Sequence, residues 1–261
     1  MSAGTVGGAR PPVRAGRTGA DGDLPMRTRH HPHPARRACL AVALAAVLAQ
    51  CSSPASPPAG GPPPASPPPT VPARSPFTAE VVPVTAAELG PSWRPGCPVG
   101  PAELRRVRLT HVGMDGATHV GELDVHQDRV RQVVDVFGQL YAIGYPVERM
   151  RPAGTYPGAE DELSMRDNNT SAFSCRDIPG SGRWSQHALG RAVDVNPLIN
   201  PYVDDTGAFQ PANAAPYLDR ARRDPGVLHD GDPAVRAFTD RGWTWGGHWT
   251  TPIDYQHFEM P

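Results

Sequence analysis

Between Ser52 and Pro76 the chain carries 11 prolines in 25 residues. Such a stretch adopts extended polyproline II, at ~3.1 Å per residue, and buries too little apolar surface to build a core. It divides the 261 residues into a leading segment, a spacer, and a remainder from Phe77 to Pro261 that must hold any globular domain. The prolines are unevenly spread, with 16 of 33 before Phe77. From Phe77 onward there are 185 residues, enough to bury roughly 70% of the unfolded surface in one domain. That remainder has 17 Arg against 24 acidic residues, a net of −7, and the whole chain has no Lys. This balance argues against a nucleic-acid binder, which needs a basic face.

The leading segment reads as an export signal. Arg27, Arg29, Arg36 and Arg37 precede an apolar run from Ala38 to Ala49, a basic region followed by a short apolar one. A spanning helix needs about 20 apolar residues, so cleavage is preferred over an uncleaved anchor. The 25 residues before Met26 read as neither signal nor domain, which makes Met26 a candidate start. Leu48-Ala49-Gln50-Cys51 resembles the lipobox of bacterial lipoproteins, with Gln50 where that motif wants a small residue. Lipidation at Cys51 therefore stays open. The expected organisation is 1–51 signal region, 52–76 Pro-rich linker and 77–261 domain, placed outside the cytoplasm as a secreted, wall-associated or lipid-anchored protein. Membrane contact is confined to the signal or a lipid. Cys97 and Cys175 are the only cysteines of the domain, and export favours one disulfide between them over two separate buried thiols.

Within the domain, Arg106–Val112 alternates apolar and polar residues, and Thr118–Val125 returns as a second strand across the turn chemistry of Met114-Asp115-Gly116. Val130, Val133, Val134, Phe137, Leu140 and Tyr141 recur at helical spacing, ended by Gly144 and Pro146. Val147–Met150 and Gly190–Val195 read as short strands, 214–223 and 233–241 as helices, and 253–259 as a final strand. Asp232 is the cap candidate of the second of those helices, with Pro233 at its first position. Residues 152–186 are polar and rich in Gly and Ser, and a connection that long is usually functional. Hairpins and helices in mixed order indicate an α+β fold.

The chemistry sits in two segments, Trp184–Val195 and Asp254–Glu259. Catalytic zinc takes three protein ligands from His, Asp and Glu, and a carboxylate outside that set can take a proton from water. The segments supply two His and several carboxylates. Spacing permits a cluster without demanding one. His187 and Asp194 are seven apart and would face opposite sides of a continuous strand, so they converge only if Gly190 turns the chain between them. Asp254 and His257, three apart, would also diverge on a flat strand, so one must sit at a strand entry, which Pro252 makes plausible. The bland alternative is surface His and salt-bridged Asp.

S-x-H-x-x-G-x-A-x-D stands at Ser185–Asp194, and D-x-x-H-F at Asp254–Phe258. Together they resemble the D-alanyl-D-alanine carboxypeptidase-like family of zinc peptidases, which also holds L-alanyl-D-glutamate endopeptidases. Asn168–Arg176 and Trp243–Gly247 are similar to that family's endopeptidase-containing branch, so the resemblance covers roughly residues 107–260. It implies a small antiparallel sheet flanked by helices, with the zinc site on the sheet, in the hedgehog/DD-peptidase-like manner. It implies Zn2+ on His187, Asp194 and His257, Asp254 as the general base, and Ser185 as a supporting hydrogen-bonding residue. An upstream Arg steadies the substrate carboxylate or the oxyanion. Arg176 is the first choice, with Arg151 and Arg166 as alternatives and a structural salt bridge as the plain reading of each.

His248 follows Gly246-Gly247 where many relatives carry an acidic residue. A surface His is preferred for it over a rim residue, a substrate selector or a weak second metal ligand. His111, His119, His126 and His229 match no motif position. Trp184, Trp243, Trp245, Trp249 and Tyr255 either line a groove or pack around the site, with packing the commoner role. The resulting expectation is an exported, monomeric zinc metallopeptidase acting on peptidoglycan stem peptides, as carboxypeptidase or endopeptidase. The alternatives are a non-catalytic wall-binding module on the same fold and a metal-dependent enzyme with a non-peptide substrate.

Overall fold

The computed structural model describes residues 74–261. The expected signal, the lipobox at Cys51 and nearly all of the Pro-rich linker lie outside the described residues. The central element is a hairpin of Leu104–Val112 and Thr118–His126, paired antiparallel over its full length, with Ala79–Pro83 on its outer edge. The turn forms because the Asp115 carboxylate accepts the Ala117 amide at 2.9 Å and Gly116 takes φ 76°, a conformation other residues resist. Alternation divides the faces. Val107, Leu109, Leu123 and Val125 are buried on one side, while Arg106 and Arg108 sit opposite Asp124 and Glu122 on the other. Arg106 grips buried Asp124 with two hydrogen bonds of 2.8 and 2.9 Å.

The helix Val130–Ile143 covers the hairpin and stops at Gly144, left-handed at φ 71°. Its buried stripe is Val133, Val136, Phe137, Leu140 and Tyr141, close to the spacing expected. A second helix, Pro233–Thr239, brings Phe238 against Phe137 and stacks it on Phe258 at 3.8 Å. Fully burying an aromatic contributes roughly 1.5–3 kcal/mol, so Phe258 anchors the strand His257–Glu259 firmly to the core. That strand is the middle of a three-stranded sheet, between Ala192–Asp194 and Thr244–Trp245. Its register sets His257 opposite Asp194 and Phe258 opposite Val193. Cys97 and Cys175 form a disulfide, tying the segment before the hairpin to the loop that enters the site. No helix among the described residues is long and apolar enough to cross a membrane.

The α+β class holds, but several small sheets replace the single sheet expected, including a parallel pair of Arg149–Met150 with Asn169–Thr170. The expected helix over 214–223 is only a short turn, Ala215–Tyr217. Asp219 turns its carboxylate to the Ala221 amide instead, a local bond that competes with helix. The Arg220 guanidinium is drawn inward onto the carbonyls of Ile199 and Leu228. Asp232 occupies the cap position of Pro233–Thr239, yet its carboxylate accepts the His229 amide rather than a helix amide. The polar stretch 152–186 contains an unexpected helix, Asp161–Arg166, and a small hairpin of Asp177–Ile178 with Arg183–Trp184. The final strand is broken at Tyr255-Gln256. Ile253–Asp254 joins one sheet and His257–Glu259 another.

Candidate metal centre

Two local devices bring the motif residues together. Ser185 begins a 3-10 turn over Gln186–Leu189, and its hydroxyl accepts the His187 amide at 3.2 Å. Gly190 ends the turn at φ 65°, and the strand Ala192–Asp194 starts immediately beyond it. This is the reversal that convergence of His187 and Asp194 requires. A Cβ on Gly190 would lie 2.6 Å from the His126 amide nitrogen and 2.9 Å from Leu104. Gly190→Val is therefore expected to destabilise the protein by at least about 1–3 kcal/mol through left-handed strain and backbone collision, read from the denaturant midpoint. A change within about 0.5 kcal/mol would show that the turn tolerates a side chain.

The second device is the break in the last strand. It frees Asp254 and His257 from the opposed directions of a continuous strand, so both reach the same site. Gly246 packs against them, and a Cβ there would stand 2.6 Å from the Asp254 carbonyl.

His187, Asp194 and His257 are buried and place ligand atoms within 4.8 Å of one another. His187 Nε2 lies 3.1 Å from His257 Nδ1 and 3.1 Å from Asp194 Oδ2, and His257 Nδ1 lies 3.0 Å from Asp194 Oδ1. The outer ring nitrogens are already committed. His187 Nδ1 donates to the Ala172 carbonyl at 2.6 Å, and His257 Nε2 donates to Glu259 Oε2 at 3.1 Å. With those protons outward, both inner nitrogens present lone pairs, and Asp194 adds only lone pairs. With both rings neutral, three acceptors face one point with nothing to donate between them, so that point calls for a cation or an added proton. A bound cation fits this donor set, and two His with one carboxylate suit zinc.

The electrostatics agree. Burial opposes the charge on His257, but the hydrogen bonds its ring donates to Asp194 and Glu259 outweigh it and push the imidazole up to about 10. A proton is thus drawn to the place where a cation would sit. Burial also works against the Asp194 carboxylate, yet the neighbouring His187 and His257 hold it well below the usual range. Asp254 behaves oppositely. Burial and the nearby Asp194 charge raise it to about 7 against the opposing pull of His257. Its Oδ1 is shut from solvent with no hydrogen-bond partner.

Of the three arginine candidates, Arg176 is the one the structure brings to the cluster. Its guanidinium is 4.0 Å from Asp194 and 3.1 Å from Asp161. Arg151 and Arg166 are exposed. Arg176 and Asp161 also line a cavity of about 320 Å³ with Arg94 and Ser174. The loop singled out in the sequence is the scaffold of the centre. Ser171 exchanges backbone hydrogen bonds with Asp194, Ala172 receives His187, and the Ser174 amide donates to the His187 carbonyl. Asn169 is fully buried and bridges Arg151 and Ser164.

The other polar and aromatic candidates behave as their plainer readings expect. His248 is exposed and pairs with Asp230 at 2.7 Å. Trp243 and Trp245 are core residues, and Tyr255 packs under Arg220 at 4.2 Å. Trp249, 5.3 Å from the His257 ring, and exposed Trp184 remain as groove candidates. The motifs alone do not single out Glu259 or Asp161 as partners of the site. Glu259 was findable, because residues two apart in a strand share a face; Asp161 carried no such signal.

A buried His-Asp-His cluster with Asp254 beside it, on a small α+β scaffold, defines a potential metal centre. Residues 179–260 match the family model of D-alanyl-D-alanine carboxypeptidase, and this match supports a D-alanyl-D-alanine carboxypeptidase-like zinc peptidase family for the chain. No curated protein and no solved structure matches it.

Proposed function

We propose that the chain is an exported zinc-dependent peptidase that hydrolyses peptidoglycan stem peptides, as a D-alanyl-D-alanine carboxypeptidase or an L-alanyl-D-glutamate-type endopeptidase. The convergence of three lone-pair donors inside the span matching the family carries this reading. His187, Asp194 and His257 would hold the ion. Zinc held there would supply a water of near-neutral pKa and a Lewis acid for the peptide carbonyl. Asp254 takes a proton from the attacking water and returns it to the leaving amine. Burial raises this carboxyl above the usual carboxylate range, toward the value that suits a group that both takes and returns a proton. Ser185 fixes the backbone of His187. Arg176 presents its forked donors to the oxyanion or to a substrate carboxylate, with Asp161 restraining its position.

The test is incubation of the protein with defined stem peptides, with and without a chelator, followed by mass spectrometry. Loss of one D-Ala, abolished by chelator, assigns a carboxypeptidase; cleavage after L-Ala assigns an endopeptidase. Bound zinc without turnover on any stem peptide would sink the proposal and favour a wall-binding module.

A further inference from the structure

We propose that Glu259 is a positioning residue that orients His257 in the metal centre. This rests on the zinc-peptidase reading above. A histidine can offer a lone pair from only one ring nitrogen while the other carries its proton, and the partner of that proton fixes which is which. His257 faces His187 and Asp194 with Nδ1, so its Nε2–H needs an acceptor on the far side. Glu259 Oε2 supplies it at 3.1 Å. His187 meets the same requirement through the main-chain carbonyl of Ala172, which no side-chain substitution removes. Glu259 is thus the replaceable half of the pair.

The backbone preorganises the contact. His257 and Glu259 lie on one face of a strand hydrogen-bonded on both edges, with Glu259 opposite Ala192 on one side and Thr244 on the other. Phe258 between them is fully buried in the core on the opposite face. The strand cannot rotate His257 away from Glu259 without exposing Phe258, so the carboxylate is held where the imidazole needs it. The cluster residues themselves leave this role open, since Asp194 and His187 already occupy the other nitrogen.

The test measures zinc affinity by chelator competition on the full chain, for wild type, Glu259→Ala, Glu259→Met and Glu259→Gln. Metal-free melting of each variant checks the fold. Removing the acceptor, as Ala or near-isosteric Met, is expected to weaken zinc binding roughly 10–100-fold, the usual scale for such outer partners. Gln keeps an oxygen for the same hydrogen bond and should recover part of the loss. Affinity within about two-fold of wild type in folded Ala and Met variants, on the scale of these effects, would overturn the proposal. So would a Gln variant no better than Met, which would assign the effect to packing. Absence of zinc binding by the wild type would instead sink the zinc reading itself.

Discussion

Asp254→Asn is expected to leave the protein folded and able to take up zinc, while lowering kcat for stem-peptide hydrolysis by roughly 10²–10⁴-fold. The amide matches the carboxylate in shape but cannot accept a proton from water. The carboxyl's Oδ1 has no hydrogen-bond partner, and the Gln256 side chain that hydrogen-bonds to the group can keep the same contact to the amide oxygen. A base must be ionised to act, and burial, aided by Asp194, raises this carboxyl to about 7 in the metal-free centre. Activity should therefore rise with pH through an acid limb, set at or below that value once a cation adds positive charge nearby. The limb should be missing from the residual activity of the variant. Zinc content and turnover measured on the same preparation separate this outcome from loss of the ion. A variant keeping more than about a tenth of wild-type kcat would fall outside the range for a lost general base and would remove Asp254 from that role.

Breaking the disulfide is the other large effect. Cys97 and Cys175 are 78 residues apart, and closing a loop of that size stabilises the folded state by on the order of 4 kcal/mol in the chain-entropy account. At about 2–4 °C per kcal/mol for a domain of this size, the double Cys→Ser variant should melt roughly 8–16 °C lower. The loss reaches function as well. Cys175 is followed by Arg176, and the same loop offers Ala172 and Ser174 to His187. Thermal melts with and without reductant provide the check, together with turnover below the new melting point. A shift under about 2 °C would mean that the loop is held by its hydrogen bonds alone.

Much of the architecture was legible because it rests on local rules. The central hairpin announced itself through alternation and Asp-Gly turn chemistry. The long helix did so through its 3.6-residue spacing and terminal glycine. The turn at Gly190 was deducible from the seven-residue gap it must reverse. What escaped was set by tertiary partners. The stretch 214–223 has helical composition, but buried carbonyls claim Arg220 and a local amide claims Asp219. Residues 253–259 read as one strand, yet they serve two sheets. In the centre, the motif residues were visible as types in order, whereas Asp161 reaches Arg176 from a helix within a stretch that reads as polar loop.

The pairing of Ala192–Asp194 with His257–Glu259 carries a consequence for how errors in this molecule are suppressed. Asp194 and His257 meet on one face, while Val193 and Phe258, both with no exposed surface, meet on the other. Sliding either strand by a single residue would drive a carboxylate or an imidazole into the apolar interior and push an aromatic ring into the metal pocket. The greasy side of the sheet thus proofreads its chemical side. Variation at Phe258 or Val193, which supply no ligand atom, would misalign the reacting groups as surely as variation at the ligands themselves.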